Sequence, residues 1–361
     1  MDWNATAPLR PEARAAMLAA MDVVGNPSSV HGEGRAAKGL IEAARGDLSE
    51  ALGAQGYDLV FTSGATEAAA LALSAGWSRL ISSAVEHDCV EAWRERLGGL
   101  VLPVTAQGAV DLAALAALGP DAEDLVAVQA ANSETGVVQP FADAPTGGAG
   151  LLVDLVQLFG RMAVSLSWQP PAMFMLSAHK FGGPKGVGLL AIPEGTDLRG
   201  LLPGGGQEMG RRSGTENVIG IAGMAAAAKA AQRDLADGTW ERVAELRNIL
   251  EKAIEAASPE TIFVGKEGPR LPNTSCMVTP GWKGETQVMA LDLAGFAVSA
   301  GSACSSGKVR ESRVLRAMGL DGVEAASAIR VSLGPTTSED EVLRFAQAWS
   351  RTRDKQRARA A

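Results

Sequence analysis

Short apolar runs recur along the chain, each closed by a polar or glycine-rich turn. DLVFTSG (58–64) reads as a strand that breaks at Gly64, and ATEAAALALSAGW (65–77) as the helix after it. RLISSAVEHD (79–88) is a second strand, followed by a helix through Trp93. DLVAVQAANSETG (124–136), GLLVDLVQ (150–157), AMFMLSAHK (172–180) and VGLLAIP (187–193) repeat the style. Such strands, interleaved with helices, predict a mostly parallel sheet covered on both faces. Ligands of these sheets sit beyond the carboxyl ends of the strands. A long helical stretch follows over 217–257, interrupted near Gly238. Beyond it lie NTSCMVT (273–279), a glycine- and serine-rich segment around Cys304, a helix from Ser312, and AIRVSLG (328–334). That stretch predicts a second, smaller α/β domain. The expected division is 13–236 against 1–12 with 237–361. The charged tail RTRDKQRARAA is expected to fray.

With 361 residues the chain can bury a large core, in two domains rather than one or three. Lys and Arg number 33 against 41 Asp and Glu, a net charge of −8. A nucleic-acid footprint or attraction to an anionic membrane is therefore not expected. There is no signal peptide pattern and no apolar run long enough to span a membrane. Three distant cysteines cannot build a disulfide framework, so a cytoplasmic location is expected. No Cys/His spacing suits zinc.

The predicted strand ends collect polar residues: Gly64, Ala65, Thr66 and Glu67, then His87, then Asn132, Ser133 and Glu134, then Asp154 and Gln157, then Ser177, His179 and Lys180. A carboxylate, two imidazoles and a lysine at one rim describe a site for an anionic, ring-bearing ligand. A partly buried lysine such as Lys180 loses its preference for the ammonium form and can act as an amine nucleophile. Lys185, within a Gly-Pro turn, is expected to be exposed. Asp154 ends an apolar strand and needs a cationic partner, unless it caps the next helix. Thr66 opens a helix after a glycine, where backbone N–H groups can hold a phosphate or Thr66 can simply cap. His87 suits stacking and proton movement near neutral pH. Trp93, Trp168 and Trp282 read as core or interface. Glu134 and Glu216 could each cap or pair.

Taken together, TSGATEAAALAL, Glu86-His87, ANSETGVVQP, VDLVQ, SAHKFGGPKGVG, GGGQEMGRRSGTEN, SAGSACSSG and IRVSLG resemble the cysteine desulfurases of the iron–sulfur and nitrogen-fixation type. These lie within the class V aminotransferases. The resemblance covers nearly the whole chain. It implies a fold type I pyridoxal phosphate-dependent transferase, whose large domain has a mostly parallel sheet flanked by helices beside a smaller α/β domain.

By the same resemblance Lys180 carries the pyridoxal phosphate, Asp154 pairs the ring nitrogen and Gln157 the ring oxygen. His87 stacks on the ring as acid and base. Ala65, Thr66, Ser177 and His179 hold the phosphate, and Thr215 reaches the phosphate of the partner in a homodimer. Arg330 binds the substrate carboxylate, with Asn132, Asn26 and His31 nearby. Cys304 takes sulfur from L-cysteine as a persulfide, leaving L-alanine. A protein sulfur acceptor, such as an iron–sulfur scaffold, is the implied partner. No metal ligand set is expected, except that Cys304 could meet a transferred iron–sulfur cluster.

Ser133 stands where the family has a second asparagine that commonly contacts the cofactor, and its side chain is the shorter of the two. A short leader strand is expected to be absent before Asp2, and a scaffold-docking extension absent at the C-terminus.

Glycine and serine around Cys304 favour a mobile loop, and Lys308, Arg310 and Arg313 favour its thiolate. Cys276, in a strand pattern, and Cys89 read as packing. Two alternatives stand beside the desulfurase. One is another class V enzyme, such as a selenocysteine lyase, aminotransferase or β-lyase, with no task for Cys304. The other is a cofactor-bound protein that acts by docking.

Overall fold

The computed structural model describes residues 1–301 and 311–360. Among the described residues ten strands form two sheets: β1 Tyr57–Thr62, β2 Arg79–Ser83, β3 Leu100–Leu102, β4 Asp124–Gln129, β5 Gly150–Asp154, β6 Met173–Ser177, β7 Gly188–Pro193, β8 Ile262–Phe263, β9 Thr274–Val278 and β10 Ala328–Ser332. The large sheet has the order β1-β7-β6-β5-β4-β2-β3. Its centre is parallel from β3 to β6, as the interleaved helices require. Strand β7 runs antiparallel to both β6 and β1. The connection Ala178–Val187 is too short for the crossover that a parallel partner needs.

Alternation along each strand feeds two opposite cores. Leu59 and Phe61 of β1, Val126 and Val128 of β4, and Val153 of β5 face one layer. Val60, Leu125, Ala127 and Leu152 face the other. The first layer is covered by the helices Pro11–Met21, Gly32–Leu52 and Val218–Ala236, with Met224, Ala227, Ala228 and Ala231 in its core. Alanine there lets the helices approach closely. The helix Ala65–Leu73 covers the second layer through Ala68, Ala69 and Leu71 to Leu73.

The predicted interruption at Gly238 is present. Gly238 takes φ 77° between the helices Val218–Ala236 and Thr239–Ala257, a backbone region that favours glycine. Beyond it, β8–β10 form an antiparallel sheet in the order β10-β9-β8. Trp240, Leu250, Met277, Trp282, Ile329, Phe345 and Trp349 build its core with the helices Thr239–Ala257 and Glu339–Ala360.

One expectation changes. The tail does not fray: its helix runs to Ala360, Arg353 is buried, and Arg353 and Arg357 both pair with Glu260. Of the two readings for the tryptophans, Trp282 is buried in the core, while Trp168 is 85% exposed, which leaves it the interface reading. The chain's first residues lie across both sheets. Asp2 bridges to Ser332, and Asn4 donates to Ser133 O and to Thr274 Oγ1.

Candidate active site

The expected rim forms where β1, β2, β4, β5 and β6 end. Gly64 precedes the helix Ala65–Leu73 and has no side chain to cap it. The N–H groups of that first turn, at Ala65 and Thr66, therefore point outward without an intrahelical partner, as a phosphate site requires. Gly188 makes room for this turn, because a Cβ there would stand 2.5 Å from Gly64 Cα. Ser177, at the end of β6, brings its hydroxyl opposite Gly64. Thr66 is exposed to the rim.

Asp154 ends β5 and is buried. Its Oδ1 accepts from the Val156 N–H at 2.7 Å. Burial pushes its carboxyl above the usual range, and the Val156 bond and the nearby His87 and Lys180 pull it back. Such a carboxylate gains from a cation placed against it. Gln157 is buried one turn further on. Its amide donates to Asn4 O at 3.1 Å, while its own carbonyl groups accept from Arg161.

Lys180 closes the short turn after β6. Its Nζ donates to Asn4 O at 2.8 Å and Ala5 O at 3.0 Å. His179, beside it, contacts Thr6 Oγ1 through Nδ1 at 3.1 Å. Burial, with Lys180 and Lys185 nearby, lowers its imidazole to about 4, so the ring is neutral at pH 7. Lys185 is exposed as expected.

His87 caps the helix Asp88–Leu97. Its Nδ1 accepts from the Cys89 N–H at 3.1 Å, which fixes the ring at the start of that helix. The preceding Glu86 is buried, and its Oε1 accepts from the Gln129 N–H at 2.6 Å and Ser83 Oγ at 3.1 Å. Burial, helped by Asp154, pushes Glu86 up to about 8.

Asn132 has its amide committed locally. It accepts from Glu134 N and Thr135 N, and donates to Val85 O at 3.2 Å. Ser133 contributes its carbonyl, which takes bonds from Asn4 and from Arg330 NH1. Arg330 already has a carboxylate partner, Asp2, at 2.6 Å, and a bond to Ser299 Oγ at 2.9 Å. Its Nε is buried and finds no partner among the described residues.

Asn26 and Thr215 stand elsewhere. Both are exposed, and Asn26 accepts from the Ser28 N–H. Their segments border a groove of about 970 Å³ between residues 27–30 and 206–209, with Arg45 at its floor. Gln207 links the two segments through Ser28 Oγ at 3.3 Å. His31 caps the helix Gly32–Leu52 by accepting from the Gly34 N–H.

Cys304 lies outside the described residues, as do Lys308 and Arg310. Cys276 is buried in β9, and burial pushes its thiol up to about 12. Cys89 is half-buried, and burial raises its thiol too. Both suit packing. Among the described residues no group of three His, Cys, Asp or Glu could hold a metal ion, and no helix is long and apolar enough to cross a membrane.

Sequence reasoning missed Arg161, Glu86 and Asp2. Arg161 is buried, holds Gln157 and donates to Lys180 O at 3.3 Å. Its signal was its place four residues after Gln157 in an apolar run, one helical turn on. Glu134 pairs as one of its two expected options, accepting from Ser312 Oγ at 2.6 Å. Glu216 has a buried Oε2 with no partner among the described residues.

The family model "Aminotransferase class-V" matches residues 1–345. The chain belongs to that family. A cysteine desulfurase of Cereibacter sphaeroides is 41% identical over 96% of this chain and 93% of its own length. One of Klebsiella pneumoniae is 39% identical over 95% and 89%. The crystal structure of a NifS-like protein from Rickettsia africae superposes with a TM-score of 0.91 at 32% identity, covering 98% of both chains. The fold is thus the one the class V resemblance implied.

Members of the class V family use pyridoxal phosphate, and the residues present fit it. The uncapped helix start and Ser177 suit its phosphate, and the buried Asp154 suits a ring cation.

Proposed function

We propose that this chain is a pyridoxal phosphate-dependent cysteine desulfurase that moves sulfur from L-cysteine to Cys304 and releases L-alanine. The observation that carries this is one rim holding Lys180, Asp154, Gln157, Ser177 and His87, in a chain whose relatives are cysteine desulfurases. The large cofactor-binding domain would span 13–236, and the small domain 1–12 with 237–361.

Ala65, Thr66, Ser177 and His179 would hold the phosphate, Asp154 a positive ring nitrogen, and Gln157 the ring oxygen. Bound there, the cofactor would supply an electron sink conjugated with the substrate Cα. Lys180 Nζ would take the Cα proton. Asn4 O and Ala5 O keep that amine oriented. His87 Nε2 moves protons on the facing side. Arg330 offers Nε to the substrate carboxylate, with Asp2 and Ser133 O fixing the guanidinium from behind. The Cys304 thiolate attacks the substrate sulfur. An S–S bond forms, the Cβ–S bond breaks, and a proton replaces sulfur at Cβ.

Thr215 and Asn26 would act in a homodimer, from the groove face of the partner. The sulfur would pass to a protein acceptor, with iron–sulfur cluster assembly the favoured use and a cytoplasmic location. Cys304→Ala tests the reading. We expect L-cysteine-dependent alanine formation to fall at least about 100-fold, with the cofactor's visible absorbance unchanged. Alanine formation at the wild-type rate in that variant would sink it.

A further inference from the structure

The turn between β2 and His87 is held in an unusual way. Three successive carbonyls, at Ala84, Val85 and Glu86, are each taken by a side chain from another part of the chain. Val85 O accepts from Gln129 Nε2 at 2.6 Å and Asn132 Nδ2 at 3.2 Å. Ala84 O and Glu86 O accept from the two terminal nitrogens of a single guanidinium, Arg313, at 2.8 and 2.6 Å. Arg313 is the first residue of the helix Arg313–Ala317, whose cap Ser312 is itself bonded to Glu134. Asp88 and Glu91, at 3.6 and 4.0 Å, are the acidic groups that face it. Arg313 is therefore engaged with the turn before His87 through both of its terminal nitrogens.

We propose that Arg313 is a positioning residue for His87. A planar fork presents two donor nitrogens at a fixed separation in one plane, a geometry that the single nitrogen of a lysine lacks. Holding Ala84 O and Glu86 O leaves the backbone little freedom at the residue before the imidazole. His87 Nδ1 is in turn fixed by the Cys89 N–H, so the aim of Nε2 follows from the turn. Arg313 is the one member of this clamp from beyond residue 310; Gln129 ends β4 and Asn132 lies in the loop after it. The clamp thus makes the placement of His87 depend on the docking of the segment after Cys304. This inference rests on His87 acting in the reaction.

The test is a double-mutant cycle with Arg313→Met and His87→Gln on the full cofactor-loaded protein, reading kcat for alanine formation. Alone, Arg313→Met should lower kcat about 10- to 100-fold, the cost of a misplaced catalytic group. In the His87→Gln background it should cost nothing further. Arg313→Lys, which keeps the charge without the fork, should fall between. Equal losses in both backgrounds would overturn the proposal while leaving the desulfurase reading intact. Full activity in His87→Gln would overturn this proposal and the role assigned to His87 together. A second readout needs no turnover. The chain has three histidines, so imidazole NMR can follow each. Arg313→Met should move the His87 ring signals and leave those of His31 and His179 in place. Unmoved His87 signals would also overturn it.

Discussion

Glu86 shows how a single residue can be present in a motif and still unread. The dipeptide Glu86-His87 was visible, but the pairing of its carboxyl with Gln129 N–H and Ser83 Oγ depends on β2 and β4 lying side by side. Its folded-state carboxyl titrates near 8, above the ordinary 4.5. The stability this raised value contributes is complete below the unfolded value and is lost as pH rises through about 8. Glu86→Gln removes the titration while keeping an acceptor for both bonds. The variant should gain melting temperature relative to wild type, by roughly 3 °C or more, between pH 5 and pH 9. Parallel pH curves for the two proteins would rule this out. His179 carries the opposite shift, from 6.5 down to about 4. Asp154, Gln157, Ser177 and Lys180 were legible because each ends an apolar run. Asp2 as the partner of Arg330 was not, because 328 residues separate them.

At the level of elements, eight of the strands were legible from apolar runs, and β3 and β8 were not. Three and two residues give alternation no room to show. The segment after β7 is held by another device that patterning hides. Glu208 and Met209 adopt φ 48° and 59°, where residues other than glycine are strained. Glu208 offsets this with a buried carboxylate bonded to both terminal nitrogens of Arg45 and to the Phe61 N–H. That peg fastens the stretch leading to Thr215 onto the edge strand β1. Removing one partner strands the other, so Glu208→Ala should cost about 3–5 kcal/mol in unfolding free energy. A denaturant midpoint equal to wild type would contradict the peg.

For the whole molecule, the groove beside Asn26 and Thr215 is lined in part by exposed Val30 and Met209. If Thr215 serves the partner's site, two crippled chains can rescue each other. Lys180→Ala and Thr215→Asp are each expected to be inactive alone. Co-expressed at equal levels, they should recover about a quarter of wild-type activity, through one intact site in each mixed dimer. No recovery would place Thr215 in its own chain's site. The two sheets were legible as units, but not the way the chain's start joins them. Asn4 bonds Ser133, Thr274 and Asn273, while its carbonyl orients Lys180. These contacts have a temporal meaning. The residues made first at the ribosome find their places last, after β10 has been synthesised more than three hundred residues later. Until Asn273 and Thr274 have been made, the side-chain anchors of Asn4, whose carbonyl orients the reactive lysine, are incomplete. A nascent or truncated chain cannot hold a finished site.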